Sequence, residues 1–243
     1  MTFRACAVVP TFENPRTVGA VLEALARHLP VVVVDDGSTG PARDLLDGLA
    51  ARGVAVLRRH DRNRGKGAAV KTGLAAAREL GFTHALQVDA DGQHELDDVP
   101  RFLEAARAAP GSLVLGQPVF DASVPPGRLR GRKVSIFWTT LETGGRVIAD
   151  PLCGFRVYPV EAALRAGARG DRMDFDPEVA VRMVWDGCPV VNLPTRVRYL
   201  SPEQGGVSHF RMFRDNVRIS WGHTRLCTLA ILRMLTFRGL GRR

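Results

Sequence analysis

The segment Asp89-Ala90-Asp91-Gly92-Gln93-His94 concentrates groups that could do chemistry. The apolar residues Ala85, Leu86 and Val88 lead directly into it, so both carboxylates stand where a strand would end. Side chains alternate along an extended backbone, which lets Asp89 and Asp91 face the same way. Two like charges held that close repel each other, and a bound divalent cation relieves the repulsion. Carboxylate oxygens and the Gln93 amide suit a hard cation, Mg2+ or Mn2+, and a diphosphate could supply the remaining ligands. A polar turn is the competing explanation, because Asx side chains readily turn the backbone.

Other polar segments carry comparable alternatives. Asp35-Asp36-Gly37-Ser38 ends a valine run. A carboxylate there can accept hydrogen bonds from a ribose or nucleobase, or it can cap the following helix. Gly65-Lys66-Gly67 would let backbone amides approach a phosphate, with Lys66 adding charge. It is not a Walker loop, since Gly67 stands where Ser or Thr is required, and Val70 breaks the GxGxxG spacing. Arg128, Arg130, Arg132 and Lys133 form a basic cluster able to bind phosphate through charge-assisted hydrogen bonds, or simply a solvated face. Asp150 to Arg156 couples an acid, a glycine and an arginine, either as part of a site or as an Asp-Pro turn.

These segments need a frame that brings them together. Short apolar runs at Ala5–Val9, Val31–Val34, Val54–Arg58, Ala85–Val88 and Leu113–Gly116 read as strands of a parallel sheet covered on both faces. Helical patterns alternate with them at Pro15–His28, Ala42–Ala51, Gly67–Leu80 and Leu96–Ala108. The expected class is α/β with a doubly wound, mostly parallel, Rossmann-like sheet. Ligands collect at the carboxyl ends of strands in such sheets, where the polar segments fall. The Pro-, Gly- and Arg-rich stretch from Phe120 to Arg130 reads as a loop, followed by helices over Lys133–Ile148 and Asp176–Trp185. Strands are expected at Val190–Leu193 and Thr195–Tyr199, a flexible loop at Ser201–Val207, and a helix over Phe210–Phe237. This divides the chain into a domain over residues 1–210 and a basic amphipathic extension over 211–243.

The 243 residues and 45% hydrophobic content suit one globular domain with an appendage. Four scattered cysteines without a CxxC pair argue against a zinc site or a disulfide framework. The chain enters its first strand without a basic-then-apolar leader, and no apolar run reaches the roughly 20 residues of a spanning helix, so a cytoplasmic location is expected. The net charge of +9 is uneven, with ten arginines against Glu203 and Asp215 from Arg196 onward. Such a tail could meet nucleic acid, anionic lipid or a phosphorylated substrate. Nucleic acid is not the expected partner, because no RNA-recognition aromatic motif or zinc finger accompanies the charge. In the tail, apolar residues such as Val217, Ile219, Leu226 and Leu235 interleave with Arg218, Arg225 and Arg233. This fits a helix lying peripherally on an anionic membrane, or one packed on the domain or on a second copy in a homodimer.

Taken in order, Pro10-Thr11-Phe12-Glu13-Asn14, Val33 to Ser38, Asn63 to Gly67, Asp89 to His94 and Cys153-Gly154-Phe155-Arg156 resemble the GT-A-fold glycosyltransferases of family two. The branch they are similar to contains dolichyl-phosphate mannose synthases and bacterial polyprenyl-phosphate glycosyltransferases. The resemblance implies a GT-A-type sheet and an inverting, metal-dependent transfer of a hexose. The donor would be a UDP- or GDP-linked sugar, and the acceptor a polyprenyl-phosphate-type lipid or, alternatively, a hydroxyl of an envelope glycan or glycolipid. Residue by residue it implies that Pro10, Glu13, Asp35, Asp36, Lys66 and Asp89 line the donor site. Asp91 would be the main ligand of Mg2+ or Mn2+, with Asp89 and Gln93 beside it. Asp150 and Arg156 would border the acceptor, Arg132 and Ser135 would hold phosphate, and Ser208 and His209 would belong to a loop closing over the diphosphate. Asp176 and Glu178 match a later family segment.

Overall fold

The computed structural model describes residues 2–121, 124, 126–145, 147–199 and 212–240. Seven strands form one sheet in the order β3-β2-β1-β4-β6-β5-β7. They are β1 (Ala5–Thr11), β2 (Val31–Asp35), β3 (Val56–Arg59), β4 (His84–Gln87), β5 (Leu113–Phe120), β6 (Arg156–Pro159) and β7 (Val190–Val197). β1, β2, β3 and β4 pair in parallel, as do β5 and β7. β6 runs antiparallel between β4 and β5.

The first four strands follow the apolar runs. β2 is buried at every position, as a strand covered on both sides must be. On one face α1 (Val18–Ala26), α2 (Gly40–Ala51) and α4 (Val99–Ala108) cover Val9, Val33, Leu86 and Val157 with Leu22, Leu25, Leu46 and Phe102. On the other, α3 (Lys66–Glu79), α6 (Val160–Arg165) and α7 (Phe175–Trp185) cover Val8, Val34 and Leu115 with Leu74, Ala163 and Val179. α3 sits unusually close to the sheet because Gly73 has no Cβ, and one there would overlap Val8.

Several boundaries differ from the sequence expectation. α5 occupies Pro126–Glu142, so the helix begins inside the segment read as a loop. Its glycines, Gly127 and Gly131, lower local helix preference, yet further along Ser135, Thr139 and Glu142 face inward and are buried. The first predicted helix loses its first turn, and a short 3-10 turn (Leu96–Asp98) precedes α4. β6 and α6 carry no expectation, and the two short strands expected after residue 190 form a single β7. α8 (Met212–Leu240) packs against α5 and α7 and contributes Leu226 to the core. The boundary at 210/211 and the loop expected at Ser201–Val207 lie outside the described residues.

Candidate active site

Parallel pairing brings the carboxyl ends of β1, β2 and β4 together, and the loops leaving them are tied to one another. Glu13, at a φ of 45°, donates its N–H to the Ser38 hydroxyl, while its Oε1 accepts from the Thr39 N–H and hydroxyl at 2.8 and 2.9 Å. Asn14 Nδ2 donates to the Ala90 carbonyl at 2.9 Å, so the first loop holds the turn between Asp89 and Asp91.

Asp35 and Asp36 serve this frame differently. Asp35 is fully buried, accepting from Arg59 Nε at 2.7 Å and the Ser38 N–H at 2.9 Å. Asp36 accepts the N–H groups of Arg64 and Gly65 at 2.9 and 2.7 Å, and His60 Nδ1 lies 2.7 Å from it. The carboxylate thereby fixes the glycine turn that starts α3. Gly65 has a φ of 111°, and a Cβ there would strike the Asp171 carbonyl. Asp36 lines the cavity at the strand ends, whereas Glu13 and Asp35 stand behind its wall.

That cavity measures about 270 Å3. Pro10, Asp36, Lys66, Asp89, Asp91 and Gln93 line it from the first half of the chain. Arg128, Arg132 and Ser135 of α5 line it from the second half, with Arg172, Asp176 and Tyr199 and the first turns of α8 at Asp215, Asn216 and Ile219. Six of the residues implied for donor and metal and two of those implied for phosphate thus share one wall-to-wall space.

Its centre is an acidic group with one ammonium. Lys66 Nζ lies 2.7 Å from Asp89 Oδ1, donates to Oδ2 at 2.9 Å and lies 2.8 Å from Asp176 Oδ2. Burial opposes the charge on Lys66, but the two carboxylates outweigh it and raise its pKa. Burial likewise opposes charge on Asp89, but Lys66 and His94 prevail and hold its carboxyl well below the usual range. Asp91 goes the other way. Burial and then the neighbouring Asp89 charge raise its pKa, and its one protein hydrogen bond among those described comes from the Gln93 N–H at 3.1 Å. The two carboxylates are therefore unequal despite their shared motif.

A hard divalent cation fits these groups. Asp89 Oδ1 is buried and accepts no hydrogen bond despite its ionic contact with Lys66, and Asp91 carries charge that its surroundings disfavour. Among the described residues, no cluster of three or more His, Cys, Asp or Glu side chains could hold a metal unaided. Mg2+ and Mn2+ sites of this kind use one or two carboxylates and take further oxygens from substrate phosphates. Asp91, Asp89 and Gln93 are the residues that would hold the ion.

The acceptor-side expectations divide. Arg132 NH1 lies 2.7 Å from both Asp150 oxygens, and Asp150 also accepts the Leu152 N–H at 2.8 Å. Arg132 is on the cavity wall, but Asp150 is not. Arg156 is not on the wall either. It is wholly buried and spends its guanidinium on the carbonyls of Cys153, Pro151 and Asp176. It fixes the loop before β6 against α7, so its place is behind the site rather than beside an acceptor. Ser208 and His209 lie outside the described residues.

Sequence reasoning gave no site role to Gly154, Arg172, Tyr199, Asp215 or Asn216. Gly154 supports Asp89 directly, since a Cβ there would overlap the carboxylate. Its place in the Cys153–Arg156 motif was a usable signal. Arg172 donates to Asn63 at 3.2 Å across the cavity rim, a pairing that local spacing could not reveal.

The model of the family described as Glycosyl transferase family 2 matches residues 6–163. The undecaprenyl-phosphate mannosyltransferase of Micrococcus luteus is 30% identical over 173 residues, covering 67% of this chain and 65% of its own. The polyprenol monophosphomannose synthase of Mycolicibacterium smegmatis is 29% identical over 235 residues, covering 89% and 84% respectively. Among solved structures, glucosyl-3-phosphoglycerate synthase from Mycobacterium tuberculosis, in complex with Mn2+, uridine diphosphate and glucosyl-3-phosphoglycerate, superposes with a TM-score of 0.67. That similarity spans 93% of this chain and 80% of the neighbour at 16% identity, and it concerns the GT-A fold.

Proposed function

Because the chain belongs to glycosyl transferase family 2 and is a glycosyltransferase, we propose that it moves a hexose from a UDP- or GDP-linked sugar to a polyprenyl-phosphate-type lipid, inverting the anomeric carbon. The observation that carries this reading is the single cavity shared by Asp89, Asp91 and Lys66 on one side and Arg132 and Ser135 on the other. The names of the Micrococcus and Mycolicibacterium relatives support the lipid-phosphate acceptor. The Mn2+ and uridine diphosphate in the neighbouring structure support the donor and metal.

Asp36 and the β1 loop would hold the nucleoside end of the donor. Asp91, assisted by Asp89 and Gln93, would hold Mn2+ or Mg2+. When bound, such an ion neutralises charge on a departing diphosphate. Arg132 and Ser135 would orient the acceptor phosphate. Its oxygen attacks the anomeric carbon from the face opposite the diphosphate, a carbon–oxygen bond forms, and the leaving nucleoside diphosphate takes the electron pair. A phosphate monoester is already anionic, so this step needs no general base. That agrees with Asp150 being occupied by Arg132 and the Leu152 N–H.

The lipid would be reached from a surface. Val134, Phe137 and Leu141 on α5 and Val217, Trp221 and Leu235 on α8 are exposed. Arg130 and Lys133 accompany the α5 row on the same exposed side. Among the described residues no helix is long and apolar enough to cross a membrane, so contact would be peripheral.

Thermal-shift screening of UDP- and GDP-hexoses, with and without Mn2+, tests the donor. A ligand that binds only the folded state raises the midpoint, and the expected outcome is a shift that needs both components. Asp91→Asn is expected to remove that metal-dependent shift and sugar transfer together. Full transfer by this variant would refute the metal assignment.

A further inference from the structure

The Lys66 ammonium lies where a cation shared by Asp89 and Asp91 would have to compete with it. Its Nζ is 2.7 Å from Asp89 Oδ1 and 2.8 Å from Asp176 Oδ2, and its side chain is only 15% exposed. A divalent ion approaching Asp89 in the absence of nucleotide meets this like charge at close range. We infer that Lys66 acts as an internal counter-ion that Asp176 holds next to Asp89, and that a nucleoside diphosphate draws it off Asp89, so that divalent-cation and nucleotide binding are coupled.

Three features support the arrangement. First, Asp176 is anchored independently of Lys66. Its Oδ1 accepts from Gln87 Nε2 at 3.3 Å, and its backbone carbonyl accepts from Arg156 at 3.0 Å. The ammonium can therefore leave Asp89 without itself becoming an unpaired buried charge, because one carboxylate stays with it. Second, Lys66 is the first residue of α3, and the preceding Gly65 is pinned by Asp36. Its backbone is thus fixed at a helix N-terminus while its flexible stem spans the carboxylates and the cavity, where a phosphate would be a third anionic partner. Third, Asp89 Oδ1 accepts no hydrogen bond even with Lys66 beside it. Losing the ammonium would cost Asp89 its ionic contact at Oδ1 and its hydrogen bond at Oδ2, both of which a bound cation could replace.

The inference rests on reading the cavity as a nucleotide-sugar and metal site, and it extends that reading to an order of assembly. Linkage makes the effect reciprocal, with nucleotide strengthening the cation and the cation strengthening nucleotide by the same factor. Lys66 and Asp176 are positioning residues in this scheme.

The test is a Mn2+ titration followed by electron paramagnetic resonance on the whole protein, alone and with UDP or GDP. For the wild type, nucleotide is expected to tighten Mn2+ about tenfold, a common size for such coupling. Lys66→Met should bind Mn2+ alone about tenfold more tightly, so that nucleotide tightens Mn2+ less than in the wild type, only through the diphosphate's own oxygens. Asp176→Asn, which leaves Lys66 to Asp89 only, should bind Mn2+ alone more weakly. Opposite signs from neighbouring substitutions cannot come from general loosening of the fold, which near-ultraviolet circular dichroism monitors in parallel. Unchanged or weaker Mn2+ binding by Lys66→Met overturns the inference, as does tighter binding by Asp176→Asn. If nucleotide tightens Mn2+ equally in wild type and Lys66→Met, the coupling role fails while the donor reading stands. If neither nucleotide affects the wild type but Lys66→Met still tightens Mn2+, the donor reading fails and the competition by Lys66 stands.

Discussion

The two walls of the cavity are built in different ways. The wall formed by the loops after β1, β2 and β4 is a lattice of short-range hydrogen bonds, in which Glu13, Asn14 and Asp36 each tie one loop to another. The opposite wall is made chiefly of helices. One side of α5 presents Arg132 and Ser135 to the cavity, while Phe137 and Leu141 on the same helix are exposed. Its arginines rest on aromatic rings, Arg128 on Tyr199 and Arg132 on Phe120, with centroid distances of 5.4 and 5.1 Å. The first wall suits a ligand of fixed shape. The second joins the cavity to an apolar exterior, an arrangement suited to an acceptor with a charged head and a long hydrocarbon tail.

Asp36→Ala would break the contrast most strongly. It strips two backbone N–H groups and His60 of a buried partner, so a loss of about 3 to 5 kcal/mol is expected in urea unfolding. A loss under 1 kcal/mol would mean that the loop lattice is not what holds this wall. A paired substitution on the other wall, Phe137→Ser with Trp221→Ser, should change stability by only about 0.5 kcal/mol, as exposed positions usually do. The same variant is expected to lose flotation with vesicles containing anionic lipid. Retained flotation would assign that exterior to something other than lipid, and a change of mass in solution would point to a second copy of the chain.

The smallest effect concerns the sheet that supports both walls. His84 is buried on β4, with Nε2 2.9 Å from the Pro110 carbonyl. Burial lowers its pKa below 6.5, partly offset by that hydrogen bond. The unfolded chain therefore takes up the proton first as pH falls, and stability declines as pH drops through 6.5 toward the folded value. His84→Asn should flatten the stability profile between pH 7 and roughly pH 5, read from urea midpoints. An unchanged slope would remove His84 as its source.

Legibility in the sequence followed the same division. β1, β2 and β4 are apolar runs ending in polar loops, so period and punctuation sufficed to place Asp36, Asp89 and Asp91 at one sheet edge. β6 reads Arg-Val-Tyr-Pro, and nothing local marks it as a central strand. Its arginine is buried because three carbonyls receive it, two from the loop just before it (Pro151 and Cys153) and one from Asp176 on α7. The resemblance implies an acceptor role for Arg156, and those carbonyls are what keep its guanidinium off the cavity wall. The start of α5 is masked by Gly127 and Gly131, which read as loop residues, while the positions that anchor the helix, Ser135, Thr139 and Glu142, lie further along it. The contact of Lys66 with Asp176 joins the beginnings of α3 and α7, and no spacing rule connects them.

The antiparallel β6 also bears on how the chain assembles. It fills the slot between β4 and β5, and its residues come after both in the chain. During synthesis from the N-terminus, β1 to β4 can pair as they emerge, but the inner edges of β4 and β5 keep bare N–H and C=O groups until residue 159 has left the ribosome. Those edges are open templates for a foreign strand. A chain stalled before that point is exposed to aggregation that the finished sheet, with both edges capped by the late insertion, escapes.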